Sequence, residues 1–483
     1  MNDIGGPSHQ TGVSSTENLA VDVTDFGEVD LYQRREKIFT RSIKGFYQRL
    51  RLYSGWPFLI GYLVLPWINW NGRQAVLFDL PARKFYIFDI TFWPQDFMLL
   101  AWLLVIAAFS LFTVTSLVGR VWCGYTCPQT IWTAIFMWVE QVTEGERHQR
   151  IRLDKAPWGF EKIRKRFMKH AMWLGWAFVT GFTFVAYFTP ARTLVMDLIH
   201  LDISGWALFW IIFFTAATYI NAGWMREQVC IYMCPYARFQ SAMFDKDTLI
   251  VSYDAARGEP RGPRKRNADK NALGLGDCVD CQLCVQVCPT GIDIRDGLQY
   301  ECIQCAHCID ACNQIMDKVG YPRGLIRYTT EHRLMGKPSH ILRPRVIGYS
   351  TAVVAMIVLF IIVLINREPF SIDVIRDRGQ LYHETTKGEV RNDYTLKLMN
   401  KTQQSETLEL KAKLDGEVSV RLTPELPITL EPGEVRTLPV SVFVKKADLK
   451  RPIIDNTFEV CELQGDLCTE ETSRFFGPQK HAR

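Results

Sequence analysis

The sequence predicts a multi-domain membrane protein, in which an α-helical transmembrane bundle is joined to a compact cysteine-rich unit and to a C-terminal all-β domain. Three observations predict this architecture. Hydrophobic residues make up 48% of the 483-residue chain, which also contains 14 Trp and 29 Phe. Eight of its 14 cysteines lie within residues 278–312. Beyond residue 366, apolar and polar side chains alternate, which is typical of antiparallel strands.

Five long stretches lack Asp, Glu, Lys and Arg, and each is long enough to cross a hydrocarbon core about 30 Å thick as a helix. These stretches are residues 52–72, 97–119, 171–191, 203–225 and 346–366. Pro57 and Pro66 interrupt the first stretch, but Trp56, Trp67 and Trp70 near its ends are typical of a membrane interface. We therefore predict about five spans.

The basic residues orient this bundle in a bacterial inner membrane. Seven Lys and Arg lie at 34–51 and nine at 147–169, whereas the alternate loops hold four in total. By the positive-inside rule, the N-terminus and the 120–170 and 226–345 segments are cytoplasmic, so the C-terminal domain is periplasmic. The first thirty residues have the composition of a disordered tail and contain no apolar stretch typical of a cleavable signal peptide.

A sixth span at residues 121–139 is the alternative topology, because this stretch is also free of charge. It would place the C-terminal domain in the cytoplasm. Arg120 leaves no room for a polar turn after the preceding span, and Gly124 and Pro128 interrupt the stretch. An interfacial or re-entrant helix that begins at Pro128 is therefore our prediction.

The cysteine-rich segment contains two runs with the spacing C-x2-C-x2-C-x3-C. The first is Cys278, Cys281, Cys284 and Cys288, and the second is Cys302, Cys305, Cys308 and Cys312. In bacterial ferredoxins, three cysteines of such a run bind one 4Fe-4S cluster and the fourth binds the other cluster. The sequence therefore predicts cluster 1 on Cys278, Cys281, Cys284 and Cys312, and cluster 2 on Cys302, Cys305, Cys308 and Cys288. Structural zinc is the alternative, because C-x2-C pairs also bind zinc.

Two further cysteine pairs share the form C-x3-C-P. They are Cys123 with Cys127 and Cys230 with Cys234, each at the cytoplasmic end of a predicted span. Residues four apart lie on one face of a helix, so each pair can present two sulfurs together. Four thiols at one membrane surface suit Cu(I) or another sulfur-bound centre. The alternative is that these cysteines are small buried apolar residues.

The C-terminal strands predict one immunoglobulin-like sandwich of about 110 residues. Apolar residues alternate at Tyr394, Leu396 and Leu398 and again at residues 438–444. Cys461 and Cys468 flank a predicted turn at 464–466, and a disulfide in an oxidising compartment is the first interpretation. Free thiols or an external copper site are the alternatives.

Domain boundaries, net charge and histidine positions complete the sequence analysis. The predicted domains are a disordered tail at 1–30, a four-span membrane domain at 31–250, a ferredoxin domain at 255–332, a fifth transmembrane helix at 346–366 and an immunoglobulin-like domain at 370–480. The net charge of +5 follows from membrane orientation, and no motif indicates a nucleic-acid partner. His170 and His200 are too far apart in depth to bind a haem. His307 is expected to donate a hydrogen bond near cluster 2.

The order of these features resembles the FixG/CcoG (RdxA) family of cytochrome c oxidase accessory proteins. The paired C-x3-C-P motifs, the double ferredoxin run, one further span and an external immunoglobulin-like domain carry the resemblance, together with residues 252–262 and 324–328. The match covers nearly the whole chain after the tail. It implies a membrane-bound ferredoxin-type cupric reductase, an oxidoreductase that makes Cu(I) in the cytoplasm for assembly of the cbb-type oxidase.

Three functions remain open from the sequence. The first is the metalloreductase, in which Cys123, Cys127, Cys230 and Cys234 handle copper and electrons come from a cytosolic donor. The second is a membrane electron-transport subunit of the NapH/NosR type that connects quinone to a partner reductase. The third is a non-enzymatic assembly scaffold with structural clusters. Expected partners are membrane lipid, a copper chaperone or oxidase subunits, and a second copy of the chain.

Overall fold

A computed structural model describes residues 37–265, 270–366, 368–377, 379–402, 404–415, 420–423, 427–449, 451–463 and 467–478. The predicted tail at 1–30 and the predicted turn at 464–466 lie outside these residues. The chain divides into two units, residues 1–38 and 39–483, and all elements below belong to the second.

The helices lie mostly in the first three quarters of the chain. They are α1 Phe46–Val64, α2 Phe97–Val118, α3 Val121–Tyr125, α4 Pro128–Glu144, α5 Arg147–Lys155, α6 Phe160–Val185, α7 Ala191–His200, α8 Gly205–Thr218, α9 Pro235–Met243, α10 Ala255–Gly258, α11 Leu283–Gln286, α12 His307–Val319, α13 Glu331–Leu334 and α14 Pro344–Ile365. Short 3₁₀ turns are Leu65–Trp67, Pro94–Asp96 and Ile294–Asp296, and π-helical turns are Tyr219–Met225 and Val229–Met233.

Most strands lie near the C-terminus. They are β1 Asn69–Trp70, β2 Arg73–Gln74, β3 Val76–Asp79, β4 Lys84–Ile87, β5 Ile90–Phe92, β6 Ile250–Tyr253, β7 Ile326–Thr329, β8 Phe370–Arg376, β9 His383–Glu384, β10 Glu389–Asn400, β11 Glu406–Leu414, β12 Val420–Thr423, β13 Ile428–Leu430, β14 Val435–Lys445, β15 Ile453–Glu462 and β16 Cys468–Phe476.

Three helices of the described chain are long and apolar enough to cross a membrane. They are Phe97–Val118, Gly205–Met225 and Pro344–Ile365. Few of their residues are fully buried in the protein, since 6 to 17% of each apolar window is buried. Apolar side chains that remain outside a protein core are expected where lipid surrounds the helix.

The other two predicted spans have different boundaries. Helix α1 begins at Phe46, ahead of the predicted stretch, and gives way to the 3₁₀ turn that contains Pro66 because proline has no backbone N–H for the helix. Helix α6 begins at Phe160, within the basic loop, and ends at Val185. A helix can extend beyond its apolar part because charged residues are good helix formers.

The stretch 121–139 is not one continuous helix. Helix α3 ends at Tyr125, and α4 starts at Pro128, the residue predicted from sequence. Proline suits the first turn of a helix because the N–H that it lacks has no intrahelical partner there. Helix α4 then packs against α6 through Phe136, which is fully buried with Trp173.

The ferredoxin unit is closed by the antiparallel pair β6 and β7, in which Val251 faces Tyr328. The chain before α1 lies against this unit: Arg41 N donates to Gln286 O at 2.8 Å, and Asp310 accepts hydrogen bonds from the amides of Tyr47 and Gln48. These contacts position α1 and its arginine at residue 51 beside the cysteine loops.

The C-terminal domain is a sandwich of two antiparallel sheets. One has the order β12-β14-β10-β8, with β9 also paired to β10, and the other has the order β13-β11-β15-β16. Tyr394, Leu396 and Leu398 are at most 2% exposed and form its core with Val440 and Phe458. The period-two alternation therefore marked the buried face correctly, and the immunoglobulin-like sandwich is confirmed.

Candidate functional site

Two cavities lie in the ferredoxin unit, and each is lined by four or more cysteines. The first is lined by Cys278, Cys281, Cys284 and Cys312. The second is lined by Cys288, Cys302, Cys305 and Cys308, with Cys284 also at its wall. The fourth cysteine of each run thus lies in the cavity formed by the other run, which is the crossed arrangement expected from the spacing.

The two cysteine loops have the same backbone geometry. The residues on both sides of the second cysteine have positive φ in each run: Asp280 and Gln282 at 48° and 54°, and Gln304 and Ala306 at 54° and 61°. Residues other than glycine rarely adopt this left-handed conformation, and such strain is concentrated at functional sites. Because the left-handed conformation recurs at equivalent positions, both cysteine loops curve around their cavities in the same way.

The donor set fits an iron-sulfur cluster in each cavity. Burial raises the pKa of Cys284, Cys302 and Cys312 to about 12 and that of Cys305 to about 11. Thiols in such surroundings become thiolates only if a nearby cation compensates the buried charge. Four cysteines line each cavity and supply the ligands that a 4Fe-4S cluster requires.

The two C-x3-C-P motifs repeat one backbone arrangement. In each, the amide of the second cysteine donates to the carbonyl five residues earlier: Cys127 to Trp122 at 2.9 Å, and Cys234 to Val229 at 2.8 Å. Both second cysteines are extended, with ψ of 128° and 110°, because the following proline disfavours the helical conformation. Each motif therefore ends one short helix and begins the next at Pro128 or Pro235.

The four thiols of these motifs lie within electrostatic range of one another. Burial raises the pKa of Cys123 to about 12, and the neighbouring Cys127 and Cys234 add to the rise. Burial likewise raises the pKa of Cys230 to about 12, with Cys127 and Cys123 adding to it. Among the described residues no three of these sulfurs come within 4.8 Å of one another, so at most two can bind one ion without movement.

The first motif touches the second cysteine run directly. A Cβ atom added to Gly124 would lie 2.7 Å from the carbonyl oxygen of Ile303 and 3.1 Å from the amide nitrogen of Cys305. No side chain fits in this contact. Tyr328 reinforces it, because its hydroxyl donates to Gln304 O at 2.6 Å and lies 3.2 Å from the hydroxyl of Tyr125.

Four side chains that sequence reasoning did not assign complete this region. Gln240 is fully buried in α9, and its Oε1 accepts a hydrogen bond from Cys123 Sγ at 3.5 Å, while its Nε2 makes no hydrogen bond of normal length to a described residue. Arg120 and Gln304 are joined by a 2.8 Å bond from the arginine amide to Oε1. Arg51 lies beside His307 at 3.2 Å. The position of Arg120 directly after an apolar stretch is a sequence signal that could have marked it as a site residue. Gln240 has no such signal.

His307 lines the second cavity, but its ring nitrogen is already engaged. Its Nε2 lies 3.2 Å from Arg51 Nη1 and 2.5 Å from Gln48 Oε1. Burial, with the charge of Arg51, lowers the pKa of His307 to about 3, so the ring is neutral. The histidine therefore joins α1 to the cysteine loop, and its predicted donation toward the cluster is not made through Nε2.

Cys461 and Cys468 form a disulfide between paired positions of β15 and β16. This agrees with the first interpretation of the sequence. Together with Glu459 they are the one group of at least three candidate ligand atoms within 4.8 Å among the described residues. Sulfurs in a disulfide offer no thiolate to a metal, so the bonded pair does not form an external copper site.

Two family models match the chain. One, described as a 4Fe-4S dicluster domain, matches residues 225–331, which include all eight cysteines of the two runs and Cys230 and Cys234. The other, described as the IG-like fold at the C-terminus of FixG, matches residues 360–478. A 4Fe-4S domain and an immunoglobulin-like domain are thus both present.

Three relatives match most of the chain. Nitrogen fixation protein FixG of Rhizobium meliloti is 40% identical over 86% of this chain and 88% of its own length. Protein RdxA of Cereibacter sphaeroides is 40% identical over 81% of this chain and 85% of its own, and RdxB of the same organism is 39% identical over 85% and 88%.

A solved structure also resembles the chain in part. A FixG-related protein from Vibrio parahaemolyticus is 37% identical, with 23% of this chain and 97% of that chain covered and a TM-score of 0.21.

Proposed function

Because the chain belongs to the FixG/RdxA family, we propose that it is a membrane-bound electron-transfer protein that reduces Cu(II) to Cu(I) in the cytoplasm for assembly of a cbb-type cytochrome c oxidase. The contact of Gly124 with the backbone of Ile303 and Cys305 carries this proposal. It joins a redox unit and a set of soft ligands into one continuous site.

The two cysteine cavities are the binding sites for the two proposed 4Fe-4S clusters. Cys278, Cys281, Cys284 and Cys312 hold one cluster, and Cys288, Cys302, Cys305 and Cys308 hold the other. Bound clusters would supply one-electron transfer; iron-sulfur potentials span about −700 to +450 mV, and the lower part of this range is low enough to reduce Cu(II). The left-handed turns at Asp280, Gln282, Gln304 and Ala306 hold the loops in the binding conformation.

The C-x3-C-P thiols are the proposed site of copper as a substrate. Thiolates prefer Cu(I) over Cu(II), so this site favours the reduced product. Each Cu(II) takes up one electron, which a reduced cytosolic donor provides, and becomes Cu(I). Gln240 supports the thiolate form, because its free Nε2 can rotate toward Cys123 once the sulfur has lost its proton.

The proposed topology has five spans, with the ferredoxin unit in the cytoplasm and the sandwich in the periplasm. Helices α1 and α6 add to the three helices that are apolar enough on their own. A contact supports this arrangement: a Cβ added to Gly433 of the sandwich would lie 3.9 Å from Lys84 and Trp93, in the loop between the first two spans. That loop holds few basic residues, as periplasmic loops do.

Serine substitution of Cys123, Cys127, Cys230 and Cys234 together tests the copper site. We expect the variant to lose Cu(II) reduction while the EPR spectra of both clusters stay unchanged, because serine oxygen is a poor ligand for Cu(I). An artificial dye should still be reduced, since it can accept electrons at the ferredoxin unit. Copper reduction at the wild-type rate would assign these cysteines to packing.

A further inference from the structure

Two buried arginines lie next to the cavity lined by Cys288, Cys302, Cys305 and Cys308: Arg51 contacts His307 and Arg120 contacts Gln304, and both of these partners line the cavity. Arg51 is 7% exposed, and its guanidinium contacts His307 Nε2 and donates to Thr130 O at 3.2 Å. Arg120 is 3% exposed and donates to the carbonyls of Tyr300 and Ala237. Its Nε has no hydrogen-bond partner among the described residues. All of these described partners are neutral.

Neither guanidinium forms an ion pair with a described residue within 4.0 Å. Asp310, the nearby buried carboxylate, is occupied by the amides of Tyr47 and Gln48. Cys123, Cys302 and Glu301 are in electrostatic range of Arg120, and Glu301 forms no ion pair with it. Burying an uncompensated cation is costly, so these arginines require a negative charge that no described carboxylate supplies.

The other cavity is different. Its arginine, Arg295, has a side chain that is 6% exposed, and it forms ion pairs at 2.5 Å with both Asp280 and Asp293. Two carboxylates therefore compensate the single cation. Cys281 at this cavity is exposed, whereas Cys305 at the second cavity is buried.

We propose that Arg51 and Arg120 compensate the charge of the cluster bound by Cys288, Cys302, Cys305 and Cys308, and thereby make it the easier of the two clusters to reduce. A cluster bound by four thiolates is anionic and becomes more negative on reduction, so uncompensated cations stabilise its reduced form. The inference rests on the two-cluster assignment proposed above.

This difference gives electron flow a direction. With both clusters bound, electrons would enter at the cysteine set that includes the exposed Cys281 and pass to the set whose loop touches Gly124, one residue from Cys123. Arg51 and Arg120 are positioning residues in this scheme: they set a potential, and neither contacts the substrate.

An EPR-monitored redox titration of the anaerobically purified full-length protein tests the inference. Iron content and two cluster signals first establish the two-cluster assignment, separately from their potentials. We expect two midpoints in the wild type. R51Q and R120Q should each lower the higher midpoint, with a roughly tenfold change in the reduction equilibrium constant, or about 59 mV for one electron. R51K and R120K keep the positive charge, so their higher midpoint should stay close to the wild-type value.

Three further variants complete the test. R323Q removes an exposed arginine of the same unit, 68% exposed in its side chain, and should move neither midpoint. R295Q should lower the lower midpoint. C281S alters a ligand of the exposed cluster and should change the signal of the lower midpoint, even if the arginine variants fail to fold. Loss of the higher-midpoint signal in C281S, or midpoints unmoved by R51Q and R120Q, would overturn the inference.

Discussion

At the scale of single residues, the chemistry depends on how buried thiols become thiolates. Burial raises the pKa of Cys123 to about 12, and Gln240 is the side chain that touches its sulfur. In the protonated state Cys123 donates to Gln240 Oε1. In the metal-bound state the amide can rotate and donate from Nε2, so one side chain serves both states.

Substituting Gln240 tests this dual role. We expect Gln240→Leu to weaken Cu(I) retention at the C-x3-C-P thiols about ten- to a hundredfold, because a hydrogen bond to a charged group contributes about 1.5–3 kcal/mol. Gln240→Glu keeps the acceptor but repels a thiolate, so it should weaken retention further. Equilibrium dialysis against a Cu(I) chelator measures both. If Gln240→Glu retained Cu(I) as well as the wild type while Gln240→Leu did not, only the protonated thiol of Cys123 would need this hydrogen bond.

The crossed ligand arrangement gives a second test at this scale. We expect Cys288→Ser to damage the cluster otherwise held by Cys302, Cys305 and Cys308, and Cys312→Ser to damage the other. The reason is that each fourth cysteine lies in the cavity of the opposite run. EPR of the two reduced variants should lose different signals. Loss of the same signal in both would contradict the crossing.

The sequence predicted the cysteines, which belong to motifs with a characteristic spacing, but not the site residues that belong to no motif. Ligand spacing along the local sequence was enough to predict the two ferredoxin runs, their crossed ligands and the C-x3-C-P pairs. Arg51 and Gln240 reach the site from distant segments, α1 and α9, so only the tertiary structure brings them together. Gly124 was expected to break a helix, and its close contact with Ile303 could not be read from local sequence.

At the scale of elements, the second cysteine of each C-x3-C-P motif sits where one helix ends and another begins. Cys127 and Cys234 occupy the junctions before Pro128 and Pro235, and the same hydrogen bond over five residues closes both. Apolar periodicity located these junctions only roughly, because helix α1 begins six residues before its predicted stretch and α6 eleven. Charged residues extend both helices, and composition alone does not mark where they begin.

The contact between α3 and the ferredoxin loop is open to direct test. We expect Gly124→Ala to force the Ile303 carbonyl away, with a cost of about 1–3 kcal/mol typical of overpacking, and to slow copper reduction. Gly175→Ala is the matched control, because a Cβ there meets no atom within 4 Å and alanine favours a helix. Thermal unfolding and copper reduction rates are the measurements. Equal copper reduction rates in G124A and the wild type would mean that this contact is not needed for electron transfer.

At the scale of the whole molecule, the account requires the ferredoxin unit and the sandwich to lie on opposite sides of the membrane. The segment before α1 lies on the ferredoxin unit, and the sandwich touches the loop that contains Lys84 and Trp93. These contacts are the ones that the proposed topology requires. The sandwich itself was predictable because its period of two is regular, and its disulfide because Cys461 and Cys468 flank a predicted turn.

Reporter fusions test this topology. We expect alkaline phosphatase fused after Arg483 to be active and a fluorescent protein fused there to be dark, because each folds or matures on only one side of the membrane. The same reporters placed after Glu331, beyond the cysteine runs, should give the opposite result. A bright fluorescent fusion after Arg483 would require an even number of spans and would move the sandwich to the cytoplasm.

The central claim is that this chain transfers electrons from its cysteine-bound clusters to copper. The most direct measurement adds Cu(II) anaerobically to the dithionite-reduced, desalted full-length protein and follows Cu(I) with a chromogenic chelator while recording cluster absorbance. Our account predicts up to about two Cu(I) per chain, one for each one-electron cluster, formed in step with cluster reoxidation. Clusters that stay reduced, with no Cu(I) formed, would contradict it.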